Sequence, residues 1–310
     1  MPSKATREVF GETLAALGEK HPEIVVLDAD LSKSTKSDLF AKKHPQRFFE
    51  MGIQEANMIG VAAGMALSGK VPFICSFACF VTGRYDQIRV SVAYSQANVR
   101  IVGSHAGIGI GEDGLSQQGL EDIALMRVLP NMAVLQPGDD LECAQMVEFL
   151  VKHQGPAFLR TTRQKLDRVH ADDYRFLFGK ADTVREGADL AIFASGGTLQ
   201  GAVKAADSLK AAGIGVRVVN VHTLRPFDAE AVVKAGRECK GGILAAEDHM
   251  IVGGLGSCVA EALAEAGVGA RLHRLGLDGF GESGTPEALY QKYDLDAAGI
   301  ERRARRFLGR

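Results

Sequence analysis

Tryptophan is absent from the 310 residues, and the three aromatic residue types together make up 6%. No run of about 18 or more consecutive apolar residues occurs, so no segment reads as a membrane-spanning helix. The first residues, MPSKATREVFGETL, turn amphipathic at once and carry Glu8 and Glu12. A secretory signal needs an uninterrupted apolar core there, so a cytoplasmic location is expected. Charge of one sign is lacking too. Lys and Arg number 36 against 38 Asp and Glu, a formal charge of −2. Such a balance gives no field to draw nucleic acid or an anionic membrane. Cysteine is sparse and odd in number: Cys75, Cys79, Cys143, Cys239 and Cys258 all sit in apolar segments and read as buried, reduced thiols. Cys75 and Cys79 have no partners at zinc-site spacing, so no metal is assigned to them.

What is present is an ordinary globular balance, with 46% hydrophobic and 24% charged residues, and abundant glycine at 36 residues. The length suits two domains of roughly 150 residues each. Short β-branched runs alternate with longer segments of helical period. In the first half the strands are expected at Ile24–Leu27, Val71–Cys75, Val99–Val102, Met132–Leu135 and Ala157–Leu159. Helices are expected at Thr6–Lys20, Ile53–Ser68, Gly83–Tyr94, Leu120–Leu129 and Asp140–Lys152. Strands separated by helices do not pair as hairpins; they form mostly parallel sheets covered on both faces. The fold class is therefore α/β in two domains, 1–165 and 187–310, joined by a charged, aperiodic linker at 166–186. The second half restarts the alternation with strands at Leu190–Ala194, Val216–Val221, Gly242–Ala246 and Arg271–Leu275, and ends in helices at Pro286–Tyr293 and Ala297–Phe307.

Ligands of parallel α/β sheets bind beyond the carboxyl ends of the strands. Four such loops in the first half carry Asp30, Ser34, Phe77, Phe80, His105, Asp113, Gln117, Arg160 and Arg163. Their convergence predicts a site for a polar or anionic molecule with aromatic walls. An arginine just past a strand end, as at Arg160 or Arg163, is placed to clamp a phosphate or carboxylate. The loop GSHAGIGIGEDGLSQQG is a candidate phosphate cradle, but it lacks the Lys-Ser/Thr pair of a P-loop and its overlap with GxGxxG is weak evidence. GGLGSCVAE at Gly253–Glu261 reads as glycines that admit close helix–sheet packing. Glu55, two residues into its helix, reads on spacing alone as a first-turn acid favoured by the helix dipole. His105 alone reads as a satisfied loop histidine.

In order and spacing, MGIQEANMIGVAAGMALSG, VPFICSFACFVTGRYDQIR, SHAGIGIGEDGLSQQGLEDIALMRVLPNMAVLQPGD and PAFLRTTRQKL resemble the pyrimidine-binding domain of the transketolase family over Arg7–Leu166. The segments GGLGS and FGESGTPEALYQKYDLDAAGI resemble the family's carboxy-terminal domain. The resemblance implies thiamine diphosphate as cofactor. It implies that Glu55 protonates the aminopyrimidine at N1′, that Phe80 stacks on that ring and Phe77 walls it, and that Asp30 is a cofactor-site aspartate. It implies that Arg7, Ser34 and Arg163 hold a sugar phosphate, and that His105 and Asp113 bind the sugar's carbonyl and hydroxyls. One position departs: family members commonly carry histidine where this chain has Gln117, and an amide carries no proton near pH 7.

The family's Gly-Asp-Gly and following Asn-Asn, which hold Mg²⁺ and the diphosphate, are missing. The nearest string, Gly138-Asp139-Asp140, is followed by no asparagine until Asn220. The several hundred residues that normally precede Arg7 are missing too. The resemblance is therefore to the carboxy-terminal subunit of a split transketolase. An amino-terminal subunit would supply the metal and diphosphate half of the site in a heterotetramer, and no metal ligand is assigned to this chain. The implied reaction moves a two-carbon ketol unit from a ketose phosphate to an aldose phosphate, as in pentose phosphate metabolism. A 1-deoxyxylulose-5-phosphate synthase-like subunit, a 2-oxo acid dehydrogenase beta subunit and a non-catalytic assembly subunit are the alternatives.

Overall fold

The computed structural model describes residues 3–310. The first half builds a seven-stranded sheet. Its order runs Thr223–Arg225, Ala133–Leu135, Ala157–Arg160, Arg100–Ser104, Val71–Phe77, Ile24–Asp28 and Phe48–Glu50. Six of these strands are parallel; Thr223–Arg225 alone runs antiparallel, against Ala133–Leu135. The central strands are buried along their whole length, as expected of β-branched runs covered on both faces. One face packs Phe10 and Leu14 of helix Thr6–Leu17 and Met146 and Leu150 of helix Asp140–Lys152. The other packs Met58, Ile59 and Ala62 of helix Glu55–Leu67.

The second half builds a five-stranded sheet in the order Leu272–Leu277, Ile243–Met250, Leu190–Ala194, Val216–Asn220 and Asp182–Arg185. Its first four strands are parallel and the last is antiparallel. One hydrophobic cluster runs unbroken from Met58 and Ile123 of the first half to Phe193 and Val219 of the second. The two domains thus share apolar core.

Three features differ from the sequence expectation. The segment expected as a linker at 166–186 ends in strand Asp182–Arg185, which closes the edge of the second sheet, and at that segment's start Lys165–Leu166 pairs back onto Lys4–Ala5. The helix expected at Gly83–Tyr94 is a short turn, Tyr85–Gln87, running into a widened π-helical stretch, Ile88–Tyr94, closed by the Ala97 amide on the Val92 carbonyl at 2.9 Å. Strands Phe48–Glu50 and Thr223–Arg225, three residues each, are too short to carry a period. The second returns the chain to the first sheet. In the string Gly138-Asp139-Asp140, Asp139 caps helix Asp140–Lys152, its side chain accepting the Glu142 amide at 2.9 Å.

Candidate active site

Strands Val71–Phe77 and Arg100–Ser104 run side by side in parallel, so Phe77 and Ser104 end level with one another. The next residue, His105, takes a left-handed backbone with φ 56°. That turn lays its imidazole flat on Phe77, with centroids 3.9 Å apart and planes 25° apart. Phe80, from the short helix Ala78–Thr82, stacks on the same ring at 5.5 Å and 13°.

The polar contacts of His105 fix its proton. Arg7 Nη1 lies 2.9 Å from Nε2. A guanidinium has donors only, so Nε2 accepts and the proton sits on Nδ1, which donates to Ser104 Oγ at 2.7 Å. Burial, followed by the charges of Arg7, Arg163 and Lys36, pushes the His105 pKa down to about 3, so the ring is neutral at physiological pH. The same Nη1 of Arg7 donates to the Ser34 carbonyl at 2.8 Å. The loop bearing Ser34 is organised by Asp28, which is fully buried. Asp28 accepts from the Leu31 amide at 2.7 Å and from the Thr35 and Ser37 hydroxyls, each at 2.8 Å. Burial raises the Asp28 pKa to about 6.

Glu55 opens helix Glu55–Leu67 and is 4% exposed. Ser76 Oγ donates to its Oε1 at 2.9 Å, and no other side-chain hydrogen bond reaches Glu55 among the described residues. Ser76 alternates with Phe77 on their strand, so Glu55 and the aromatic stack are tied to adjacent residues of one strand end. Arg163 donates to the Ile110 carbonyl and reaches Glu112 at 3.3 Å. Gln117 accepts from Cys79 Sγ through its backbone carbonyl at 3.1 Å, beside Phe80. Asp30 and Asp113 are exposed and make no side-chain hydrogen bond among the described residues. Asp30 stands at φ 64°, and its amide donates to Glu50 at 2.8 Å. The structure thus joins Arg7, Ser34, Phe77, Phe80 and His105 in one contact chain. Glu55 and Gln117 are one residue removed from it, and Arg163 shares an interdomain cleft of about 850 Å³ with Arg7.

Two glycine-rich segments have their amides taken by carboxylates of the protein itself. The glycine-rich loop is not an open phosphate cradle. The amides of Ile108 and Gly109 donate to Asp248 of the second domain, the former at 2.8 Å. A Cβ on Gly107 would fall 2.0 Å from the Asp248 carboxylate. At GGLGS the amides of Leu255 and Gly256 donate to Glu247 at 2.6 and 2.9 Å. Burial, against the pull of those amides, raises the Glu247 pKa to about 7. Arg160 is likewise no ligand clamp. It is 1% exposed, ion-paired to Asp122 at 2.7 Å, and donates to the Gly119 and Asp248 carbonyls, each at 2.9 Å. Asp28, Ser76 and Asp248 were missed as supports of the site. Only Asp28 left a local signal, as an acid three residues before the loop it caps.

The family model described as transketolase, pyrimidine binding domain, matches residues 3–168, and that described as transketolase, C-terminal domain, matches residues 179–300. A putative transketolase C-terminal section of Methanocaldococcus jannaschii is 42% identical over 304 residues, covering 97% of this chain and 95% of that protein. The 6-deoxy-6-sulfo-D-fructose transketolase subunit SqwH of Clostridium sp. (strain MSTE9) is 39% identical, covering 96% of this chain and 92% of that subunit. Rat transketolase is 38% identical, and there the chain spans 48% of the relative's length. Among solved structures, a split gene transketolase, inactive beta4 tetramer, superposes with a TM-score of 0.90 at 43% identity, over 98% of each chain. With both domains matched and relatives at this level of identity, the chain belongs to the transketolase family.

Proposed function

We propose that this chain is the carboxy-terminal subunit of a two-chain transketolase, moving a two-carbon ketol unit from a ketose phosphate to an aldose phosphate with an amino-terminal partner. The observation that carries this reading is Glu55: a carboxyl group, 4% exposed, with one hydroxyl donor and no cationic partner, next to an aromatic stack. A buried acid without a counter-ion needs a partner at its second oxygen. A ring nitrogen of an aminopyrimidine is such a partner, so the residues fit the cofactor on which the family depends. Thiamine diphosphate, when bound, supplies the electron sink for the transferred unit. Glu55 would share a proton with the pyrimidine N1′, Phe77 and Phe80 would wall the ring, and Asp30 would stand at its edge. Arg7, Ser34 and Arg163 would grip the phosphate. Neutral His105, whose unprotonated Nε2 is an acceptor, would take a hydrogen bond from a sugar hydroxyl in exchange for that from Arg7, with Asp113 accepting from further hydroxyls and the Gln117 amide donating to the carbonyl.

Among the described residues no group of three or more His, Cys, Asp or Glu side chains is placed to hold a metal. Because the sequence lacks the family's Gly-Asp-Gly and Asn-Asn, we assign Mg²⁺ and the diphosphate to the partner. Ile53, two residues before Glu55, is 76% exposed. An apolar side chain left in water two residues from Glu55 supports a partner seated there. The relative that forms an inactive tetramer of beta chains supports the same division of labour. A sulfonated ketose as donor is the second reading, favoured by the 39% identity to the sulfofructose transketolase subunit. The test mixes this chain with an amino-terminal subunit, cofactor and Mg²⁺, and assays ketol transfer from phosphorylated and sulfonated ketoses. Turnover is expected from the mixture and from neither chain alone. Full activity of the isolated chain would overturn the reading.

A further inference from the structure

Lys36 is a cation that the reading above leaves without a role. It follows the helical turn Ser32–Thr35 and takes a left-handed backbone, φ 69°, which costs a lysine energy and fixes where its side chain starts. Its position is set by the first helix. A Cβ on Gly11 would fall 2.4 Å from the Lys36 carbonyl oxygen and 2.7 Å from Lys36 Cβ. Gly11 lies four residues after Arg7 and so on the same face of helix Thr6–Leu17. Lys36 therefore stands one helical turn from Arg7 and two residues after Ser34, whose carbonyl Arg7 holds.

The charges around this point are unbalanced. The Lys36 ammonium makes no hydrogen bond or ion pair among the described residues. Arg7 donates only to neutral acceptors, the Ser34 carbonyl and the His105 ring, and its Nε is buried without a partner. Arg163 meets one carboxylate, Glu112, on the exposed side of the cleft. The positive field of all three reaches His105, where it adds to burial in holding the ring neutral.

We propose that Lys36 is a third cation of the subsite formed by Arg7, Ser34 and Arg163, and that it selects a dianionic phosphate ester over a monoanionic sulfonate. The inference rests on the reading of that subsite given under the proposed function. Phosphate esters and sulfonates both present three oxygens in a tetrahedral array, so the planar forks of two arginines grip either. They differ in charge. A phosphate monoester carries about −1.5 to −2 at pH 7, with a second pKa of about 6, whereas a sulfonate keeps a single negative charge. Lysine is a point charge whose attraction scales with the charge of the ligand. Removing it weakens a dianion about twice as much, on a logarithmic scale, as a monoanion.

The test begins with the isolated chain, so that it does not depend on turnover. Inorganic phosphate and methanesulfonate are titrated at pH 7.5 while the His105 ring resonances are followed by NMR. Lys36→Asn removes the charge and tolerates the left-handed backbone; Lys36→Gly does the same should the first variant melt early; Lys36→Arg restores the charge. The neutral variants are expected to weaken phosphate roughly three- to tenfold and methanesulfonate about twofold, with Lys36→Arg close to the parent. In the reconstituted complex the same variants should lower the kcat/KM ratio of a phosphorylated ketose to its sulfonated counterpart. If no ketose is turned over, the ketol-transfer reading fails while the anion titration still decides the role of Lys36. Equal weakening of both anions, no weakening of either, or no rescue by Lys36→Arg would overturn the proposal.

Discussion

Glu55 and His105 show how far neighbours set a side chain's chemistry. Glu55 holds one hydroxyl donor and lacks a cation, so its free oxygen is open to a ligand's nitrogen. Glu55→Gln keeps the shape and the Ser76 contact but removes the transferable proton. The variant is expected to fold as the parent does and to lose roughly 10²–10⁴ in the rate of cofactor C2 hydrogen–deuterium exchange in the reconstituted complex. An unchanged rate would remove Glu55 from proton transfer. His105 titrates outside the working range. Burial, then the charges of Arg7, Arg163 and Lys36, set its folded pKa at about 3 against 6.5 for a free histidine. The unfolded chain binds a proton there that the folded chain refuses. The stability this neutrality provides is complete above pH 6.5 and lost as pH falls toward 3. His105→Gln should therefore flatten the fall of Tm measured between pH 6.5 and 4, starting from a lower Tm at neutral pH. A parallel downward shift at every pH would show that the folded chain does not hold the His105 pKa below that of a free histidine.

The loop Ser104–Leu120 is an element built by a distant carboxylate. Its glycines let the chain pass close to Asp248, and its amides take that carboxylate as their acceptor. Tyr290 donates to the same group at 2.6 Å from the far side of the cleft. Gly107 stands at φ 76° with no room for a Cβ. Gly107→Ala meets both objections and should cost about 1–3 kcal/mol from backbone strain, with displacement of Asp248 in addition, as read by urea unfolding. Because His105 begins this loop, the variant should also disturb its ring resonances; a variant of parent stability would mean the loop relaxes away from Asp248. The helix Asp140–Lys152 is held in the same manner to the segment between the two domains, through Asp139 and His170. Burial works to raise Asp139, but bonds from His170 and the backbone amides outweigh it and bring the pKa to about 2. Burial works to lower His170, and Asp139, Glu142 and Asp182 outweigh it in the raising direction.

On the scale of the whole molecule, the aromatic stack and Glu55 stand at the carboxyl ends of the first sheet, with Ile53 exposed beside Glu55, and the described residues present no metal-binding cluster. On the proposed division of the site, the isolated chain is expected to bind thiamine diphosphate and Mg²⁺ weakly, because most of the cofactor's charge is in the diphosphate assigned to the partner. Calorimetry of the chain alone measures this. Micromolar binding would place the diphosphate on this chain and end the need for a partner.

The sequence by itself determined the alternation of strands and helices, the α/β class, and the helix Asp140–Lys152 to the residue. These follow from local periodicity and capping, which neighbours in the chain decide. It also put the loops that carry the candidate residues at one sheet edge, because a parallel sheet places every βα loop there. Only the tertiary structure decided which glycine loops are open. Gly107 and Gly254 look alike in sequence to glycines that cradle a phosphate, but Asp248 and Glu247 arrive from more than a hundred residues away in one case and seven in the other. It likewise turned Arg160 from a candidate clamp into a buried strut, through Asp122 and the Asp248 carbonyl. A buried cation is explained only by what faces it, and the facing residue comes from another part of the chain, so no local pattern announces it.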